Sequence, residues 1–239
     1  MNPLQNLKIK IFADGANVNE MKKLYKEGIV NGFTTNPTLM RNDGVTNYEE
    51  FAKEVLSEIT DLPISFEVFA DDFELMEKEA RKIATWGKNI FIKIPITNTK
   101  GESSLELIKK LSYDGLTLNI TAMLTLEQVK EVSEVISPNT KTIVSIFAGR
   151  IADTGRDPIP LMKEAVNIIR SNSNAELLWA SSRELLNIFH AESCGCHIIT
   201  VTNSLLKKIH LINKDLKEFS LDTVRMFHDD ALSAGYEIL

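Results

Sequence analysis

Short apolar runs alternate with longer segments of helical period along the chain. Eight runs of strand length stand out: Lys8–Ala13, Gly32–Thr35, Ile64–Phe69, Ile90–Ile94, Leu116–Thr121, Thr142–Phe147, Glu176–Ala180 and His197–Val201. The segments between them carry helix start and stop signals. Thr46 with Glu49 and Thr125 with Gln128 have the spacing of capping boxes, in which the first side chain and the fourth satisfy each other's backbone N–H groups. Val18, Met21, Leu24 and Tyr25 share one helical face, and Gly28 follows as a stop. Trp86-Gly87 closes another helix. Eight β-then-α units without a break in composition predict an α/β fold, a TIM (β/α)8 barrel over residues 1–239 as a single domain. A doubly wound open sheet has the same periodicity and stays as the alternative. Residues 216–239 read as an extra amphipathic helical appendage with Val224, Phe227, Ala231 and Ala234 on one stripe. That stripe suits a cap on the barrel or a face against a neighbouring subunit.

The chemistry follows from polar residues placed late in apolar strands. Side chains alternate faces along a strand. In Ile9-Lys10-Ile11-Phe12-Ala13-Asp14, Phe12 and Asp14 share a face; in Ile90-Phe91-Ile92-Lys93-Ile94, Phe91 and Lys93 do. Ser65 pairs in this way with Glu67, Asn119 with Thr121, and Ser145 with Phe147. The apolar set is free to pack on the helices, which leaves the polar set pointing into the barrel. Barrel active sites lie at the C-terminal strand ends, where Asp14, Asn36, Glu67, Lys93, Asn119, Ser145 and Ser181 fall. Lys93 is the key residue. An apolar surround, supplied in sequence by Phe91, Ile92, Ile94 and Pro95, disfavours the ammonium and exposes a nucleophilic amine. A structural pair of Lys93 with Glu67 or Asp14 is the other reading, and Arg150 has a similar alternative in a salt bridge with Asp153.

Composition narrows the partners. The 239 residues are 44% hydrophobic and 25% charged, with a net charge of −6, which argues against broad binding to nucleic acid or anionic lipid. No apolar run has the length of a membrane span, and Met1 to Lys10 lacks a signal-peptide core. The two cysteines, Cys194 and Cys196, are too close to staple a fold, and a reducing cytoplasm is the expected location. With His190 and His197 they suggest zinc, but Cys-Gly-Cys is tighter than the usual knuckle, so no metal is expected. The sequon Asn119-Ile120-Thr121 lies in an expected buried strand, away from any glycosylating machinery.

An ordered set of segments resembles the transaldolase family, which includes the small fructose-6-phosphate aldolases. The matching stretches are Phe12–Asn17, Thr34–Leu39, Ile92–Pro95, Leu118–Thr121, Ser145–Ile151 and Trp179–Arg183. The resemblance implies a TIM barrel with no metal or organic cofactor, acting on sugar phosphates. It implies that Lys93 forms an imine with the ketose carbonyl, that Asp14 moves the fourth-carbon hydroxyl proton, and that Glu67 and Thr121 hold the water of imine formation. It further implies that Asn36 and Asn119 orient the dihydroxyacetone unit, and that Arg150, Arg183, Ser145 and Ser181 bind phosphate. Glu67 and Phe147 match the transaldolase branch, where the aldolases have glutamine and tyrosine; a phenylalanine supplies no hydroxyl to guide water to the bound enamine. The expected activity is transfer of dihydroxyacetone from a ketose phosphate to an aldose phosphate. An aldolase releasing free dihydroxyacetone and a catalytically silent binding barrel are the alternatives. The family contains dimers and pentamer-based decamers, so a homo-oligomer is expected, with no nucleic acid or membrane partner. Gly15, Ile146 and Ser182 depart from the family's usual residues, and Phe219 to Leu239 carries no assignable match.

Overall fold

The computed structural model describes Leu4 and residues 6–238. Met1, Asn2, Pro3, Gln5 and Leu239, and with them the ends of the expected domain, lie outside the described residues. The strands are β1 (Lys10–Asp14), β2 (Gly32–Thr34), β3 (Ile64–Glu67), β4 (Ile90–Pro95), β5 (Leu118–Met123), β6 (Thr142–Ile146), β7 (Ala175–Trp179) and β8 (Ile198–Thr202). All pair in parallel with their sequence neighbours, and β8 closes on β1, with Phe12 opposite Thr200 and Asp14 opposite Thr202. The sheet is therefore a closed TIM (β/α)8 barrel, and the open-sheet alternative is excluded. The expected strand limits differ from the observed ones by two residues at most.

The parity reading of the strands reappears as two separate apolar clusters. Ile11, Ala13, Ile64, Phe66, Ile92, Ile94, Ile120, Val144 and Leu177 pack outward against the helices in the larger one. Phe12, Ile143, Leu178, Ala180 and Ile198, with Phe91 and Phe147 against them, fill the barrel itself. This inner plug of side chains is the layered interior of such barrels. It also places Asp14 and Lys93 one inward step above Phe12 and Phe91, at the C-terminal mouth.

Local capping explains several helix boundaries. Asn17 caps Val18–Glu27 by accepting from the Glu20 N–H at 3.1 Å, and Gly28 ends that helix at φ 62°. Thr125 and Gln128 form the expected capping box. The box expected at Thr46 and Glu49 is displaced: Asn47 caps Tyr48–Glu58 through the Glu50 N–H. Asn is a stronger cap than Thr, so the helix begins one residue later. The C-terminal helix spans Leu216–Ala234, and none of its residues is buried. Val224 and Phe227 of the expected stripe are 60% and 63% exposed, so that helix does not cap the barrel within this chain. Among the described residues no helix is long and apolar enough to cross a membrane.

Candidate active site

A cavity of about 360 Å³ opens at the C-terminal mouth, lined by Asp14, Glu67, Lys93, Asn119, Thr121 and Arg150 among others. Lys93 is 7% exposed. Its Nζ donates to the Thr35 carbonyl at 2.8 Å and lies 3.1 Å from Glu67 Oε2. The amine is thus held between two oxygens, whereas the apolar neighbours in sequence had suggested a more hydrophobic setting. Its apolar flanks, Ile92 and Ile94, point outward into the helix layer. Glu67 is itself fixed from behind. The Tyr48 hydroxyl donates to the Glu67 carbonyl at 3.0 Å and accepts from the Glu67 N–H at 2.6 Å.

Asp14 closes β1 beside these groups and accepts from the Thr34 hydroxyl at 2.9 Å. Burial pushes its carboxyl above the ordinary carboxylate range; the Lys93 charge and the Thr34 hydroxyl oppose the rise, and the Glu67 carboxylate adds to it. A carboxyl raised above its ordinary range, close to a second carboxylate and a buried amine, is equipped to exchange protons.

Asn119 is locked by a relay across three strands: Ser145 Oγ donates to its Oδ1 at 2.6 Å, and its Nδ2 donates to Ser65 Oγ at 3.0 Å. Ser145 therefore spends its proton on Asn119. Thr121 Oγ1 is buried and has no hydrogen-bond partner although the residue lines the cavity. A buried hydroxyl without a partner costs stability unless something fills its position. The neighbouring Ala122 has φ 64°, and β5 breaks register there against β6.

The outer rim divides the remaining expected residues. Asn36 lines the cavity, but its Oδ1 caps the helix Pro37–Asn42 by accepting from the Leu39 N–H at 3.0 Å. Phe147, Arg150 and Ser181 also line it, with the Arg150 guanidinium 5.4 Å from the Phe147 ring centre. Ser181 has φ 63°, and its carbonyl sits so close to Gly149 that a Cβ there would lie 1.6 Å from the oxygen. Arg183 is not brought to the cavity wall. Its guanidinium is held by both carboxylate oxygens of Asp153, with Nε 2.9 Å from Oδ1. The salt bridge considered for Arg150 thus belongs to Arg183, and Arg150 is left free to face the cavity.

Two of the unusual residues have local reasons. Gly15 leaves room for Asn203, whose Nδ2 would be 3.3 Å from a Cβ at that position and which donates to Glu20. Ser182 is buried and ties its loop to β8 by donating to the Thr200 carbonyl at 2.7 Å. Ser65 was placed only on the inward strand face and Thr34 and Thr35 only within a matching stretch, and Tyr48 was not picked out in the sequence; their hydroxyl and carbonyl contacts depend on barrel closure. Among the described residues no three His, Cys, Asp or Glu side chains converge to hold a metal, and His197 Nδ1 accepts from the Leu177 N–H at 3.0 Å.

A closed parallel barrel with a buried lysine and two carboxylates at its C-terminal mouth defines a class of enzyme-like architecture, and sequence comparison gives the family. The model of the Transaldolase/Fructose-6-phosphate aldolase family matches residues 11–238, and the chain belongs to that family. The match extends through the terminal helix, so the stretch from Phe219 onward, unassigned in the sequence, is part of the family's domain. Similar proteins include "Probable transaldolase 2" of Listeria monocytogenes, 34% identical over 218 residues covering 90% of this chain and 95% of that one. A "Probable transaldolase" of a Thermoanaerobacter species is 33% identical over 96% of this chain and 100% of its own length. Another, from Clostridium acetobutylicum, is 37% identical over 84% of this chain and 89% of its own. Among solved structures, a Coccidioides immitis protein described as a putative dihydrodipicolinate synthase family protein superposes with TM-score 0.60 at 13% identity, covering 100% of this chain and 81% of that one. That likeness concerns the barrel alone.

Proposed function

We propose that this chain is a Schiff-base transaldolase, moving a dihydroxyacetone unit from a ketose phosphate to an aldose phosphate. The observation that carries the reading is the Lys93 amine, buried at the mouth with the Glu67 carboxylate 3.1 Å away and the Asp14 carboxyl beside them. Lys93 gives up a proton and attacks the ketose carbonyl carbon, and loss of water leaves an imine. Asp14 takes the proton of the fourth-carbon hydroxyl. The bond between the third and fourth carbons then breaks, its electrons pass into the imine to give an enamine, and an aldose phosphate departs. The enamine attacks the acceptor aldehyde, Asp14 returns the proton to the new hydroxyl, and water hydrolyses the imine.

Glu67 and Thr121 hold the water consumed and released in these steps, and the unpartnered Thr121 hydroxyl supports that assignment. Asn119, anchored by Ser65, and Asn36 orient the hydroxyls of the three-carbon unit. Arg150 and Ser181 receive the phosphate; Ser145 joins them by rotating away from Asn119, and Arg183 by releasing Asp153. Phe147, where a tyrosine would bring a hydroxyl, supports transfer over release of free dihydroxyacetone. The chain acts in the cytoplasm as an assembly of like subunits, a reading in keeping with the apolar exposure of its terminal helix.

Incubation with fructose 6-phosphate and erythrose 4-phosphate tests the proposal. Transfer yields a seven-carbon ketose phosphate and glyceraldehyde 3-phosphate in equal amounts. Free dihydroxyacetone as the main product supports the aldolase alternative, and no product supports the silent barrel.

A further inference from the structure

A second cavity, larger than the one at the C-terminal mouth, lies at the other end of the barrel. It has a volume of about 1170 Å³ and opens at the N-terminal ends of the strands. Its floor is the underside of the inner plug, Phe12, Phe91 and Ile143. Its wall carries five basic side chains, Lys10, Lys88, Lys141, Lys163 and Arg170, against two acidic ones, Asp61 and Glu176. This is a local excess of three positive charges in a chain whose net charge is −6.

Both acids are already engaged: Glu176 pairs with Lys10 at 2.7 Å, and Asp61 accepts from the Tyr25 hydroxyl at 2.6 Å. Lys88, Lys141, Lys163 and Arg170 have no ion-pair partner among the described residues. Several other cations on this surface are paired, as Lys22 is with Glu54 and Glu58, and Arg81 and Lys110 are with Glu77. Unpaired like charges around one concavity repel and lower stability. They make a favourable site for a compact anion, and an arginine among them suits the forked geometry of phosphate.

We propose that this cavity binds a phosphorylated small molecule carrying two or more negative charges. Its concave form and single apolar floor favour a small ligand over a nucleic acid, which the overall negative charge would repel. A ligand there rests on Phe12 and Phe91, two positions before Asp14 and Lys93 on the same strand faces. This assignment is independent of the chemistry at the opposite mouth.

Thermal unfolding with pyrophosphate and with ADP, at matched ionic strength, tests the proposal. Ligand held only by the folded state raises its Tm. At least one probe is expected to raise Tm by about 2 °C or more in the unaltered protein, an effect of readable size for a chain of this length. The shift is expected to persist in Arg150→Ala and to vanish in Lys141→Gln/Lys163→Gln. Without ligand, that double variant should melt no lower than the parent, because repulsion has been relieved. Lys88→Gln/Arg170→Gln provides a second test should the first variant fold poorly. The proposal is overturned by the absence of any shift, by a shift lost in Arg150→Ala, or by one that survives both charge-removing variants.

Discussion

The two ends of this barrel treat their charges in opposite ways. At the C-terminal mouth one buried amine is surrounded by a carbonyl, a carboxylate at 3.1 Å and a second carboxyl pushed upward by burial. At the N-terminal opening, four exposed cations share a larger cavity and have no carboxylate ion-pair partner among the described residues. The same inner plug separates them. Buried charges are tolerated only when paired or used, so the upper cluster had to be built as an interlocked set. Exposed cations cost less than buried ones, so the lower set stands without an internal partner at a modest cost in repulsion and remains available to an outside one. Proximity of charge alone therefore says less about chemistry than its burial and its partners do.

The largest expected effect separates the ends most sharply. Lys93→Ala should reduce sugar-phosphate turnover by on the order of 10⁴-fold or more, the scale seen when a covalent nucleophile is removed. Lys141→Gln/Lys163→Gln should leave unliganded turnover within about twofold, since exposed charges that far from the mouth couple weakly through solvent. Steady-state rates with fructose 6-phosphate and erythrose 4-phosphate measure both.

Asp14→Asn comes next. Loss of the proton carrier should lower turnover by about 10²–10⁴-fold. Stability should move the other way. The folded protein holds the Asp14 proton more tightly than the unfolded chain does, so its relative stability is fullest below the ordinary aspartate value of 3.8 and is lost as pH rises through the raised folded value. The Tm of Asp14→Asn minus that of the parent should therefore increase from acid to neutral pH. A flat difference would mean that Asp14 is not displaced by its surroundings.

Gly149→Ala probes the rim. A Cβ 1.6 Å from the Ser181 carbonyl forces the loop after β7 to move. Overpacking of this kind costs about 1–3 kcal/mol, equivalent to a Tm lower by roughly 5 °C. The smallest effects distinguish the two arginines. Arg150→Ala should raise KM for the sugar phosphate about 10- to 100-fold, the worth of a hydrogen bond to a charged group. Arg183 and Asp153 are 47% and 52% exposed, so Arg183→Ala should change stability by under about 1 kcal/mol and KM by less than Arg150→Ala does.

Much of the fold was legible because it rests on local pattern. Period-two alternation located the strands and separated the outward isoleucines from the inward Phe12, Phe91, Asp14 and Lys93. Closure was not legible from that pattern, since an open sheet has the same alternation. The candidate site was legible as a set of strand ends but not as a set of contacts. That Tyr48 clasps Glu67, that Thr35 faces Lys93 across 58 positions of chain, and that Arg183 rather than Arg150 takes Asp153 are all consequences of three-dimensional register. Asn36 shows a further limit: its place after β2 put it at the mouth and the family resemblance marked it for substrate, while its Oδ1 also serves the local need of a helix start. The unpaired cations of the lower cavity come from separate segments, with no motif to join them.

The most direct test is borohydride trapping in the presence of fructose 6-phosphate, followed by mass spectrometry of the digested protein. A stable dihydroxyacetone or hexose phosphate adduct on the peptide containing Lys93, absent from Lys93→Ala, is the predicted result. An adduct on another lysine, or none while turnover continues, would contradict the mechanism.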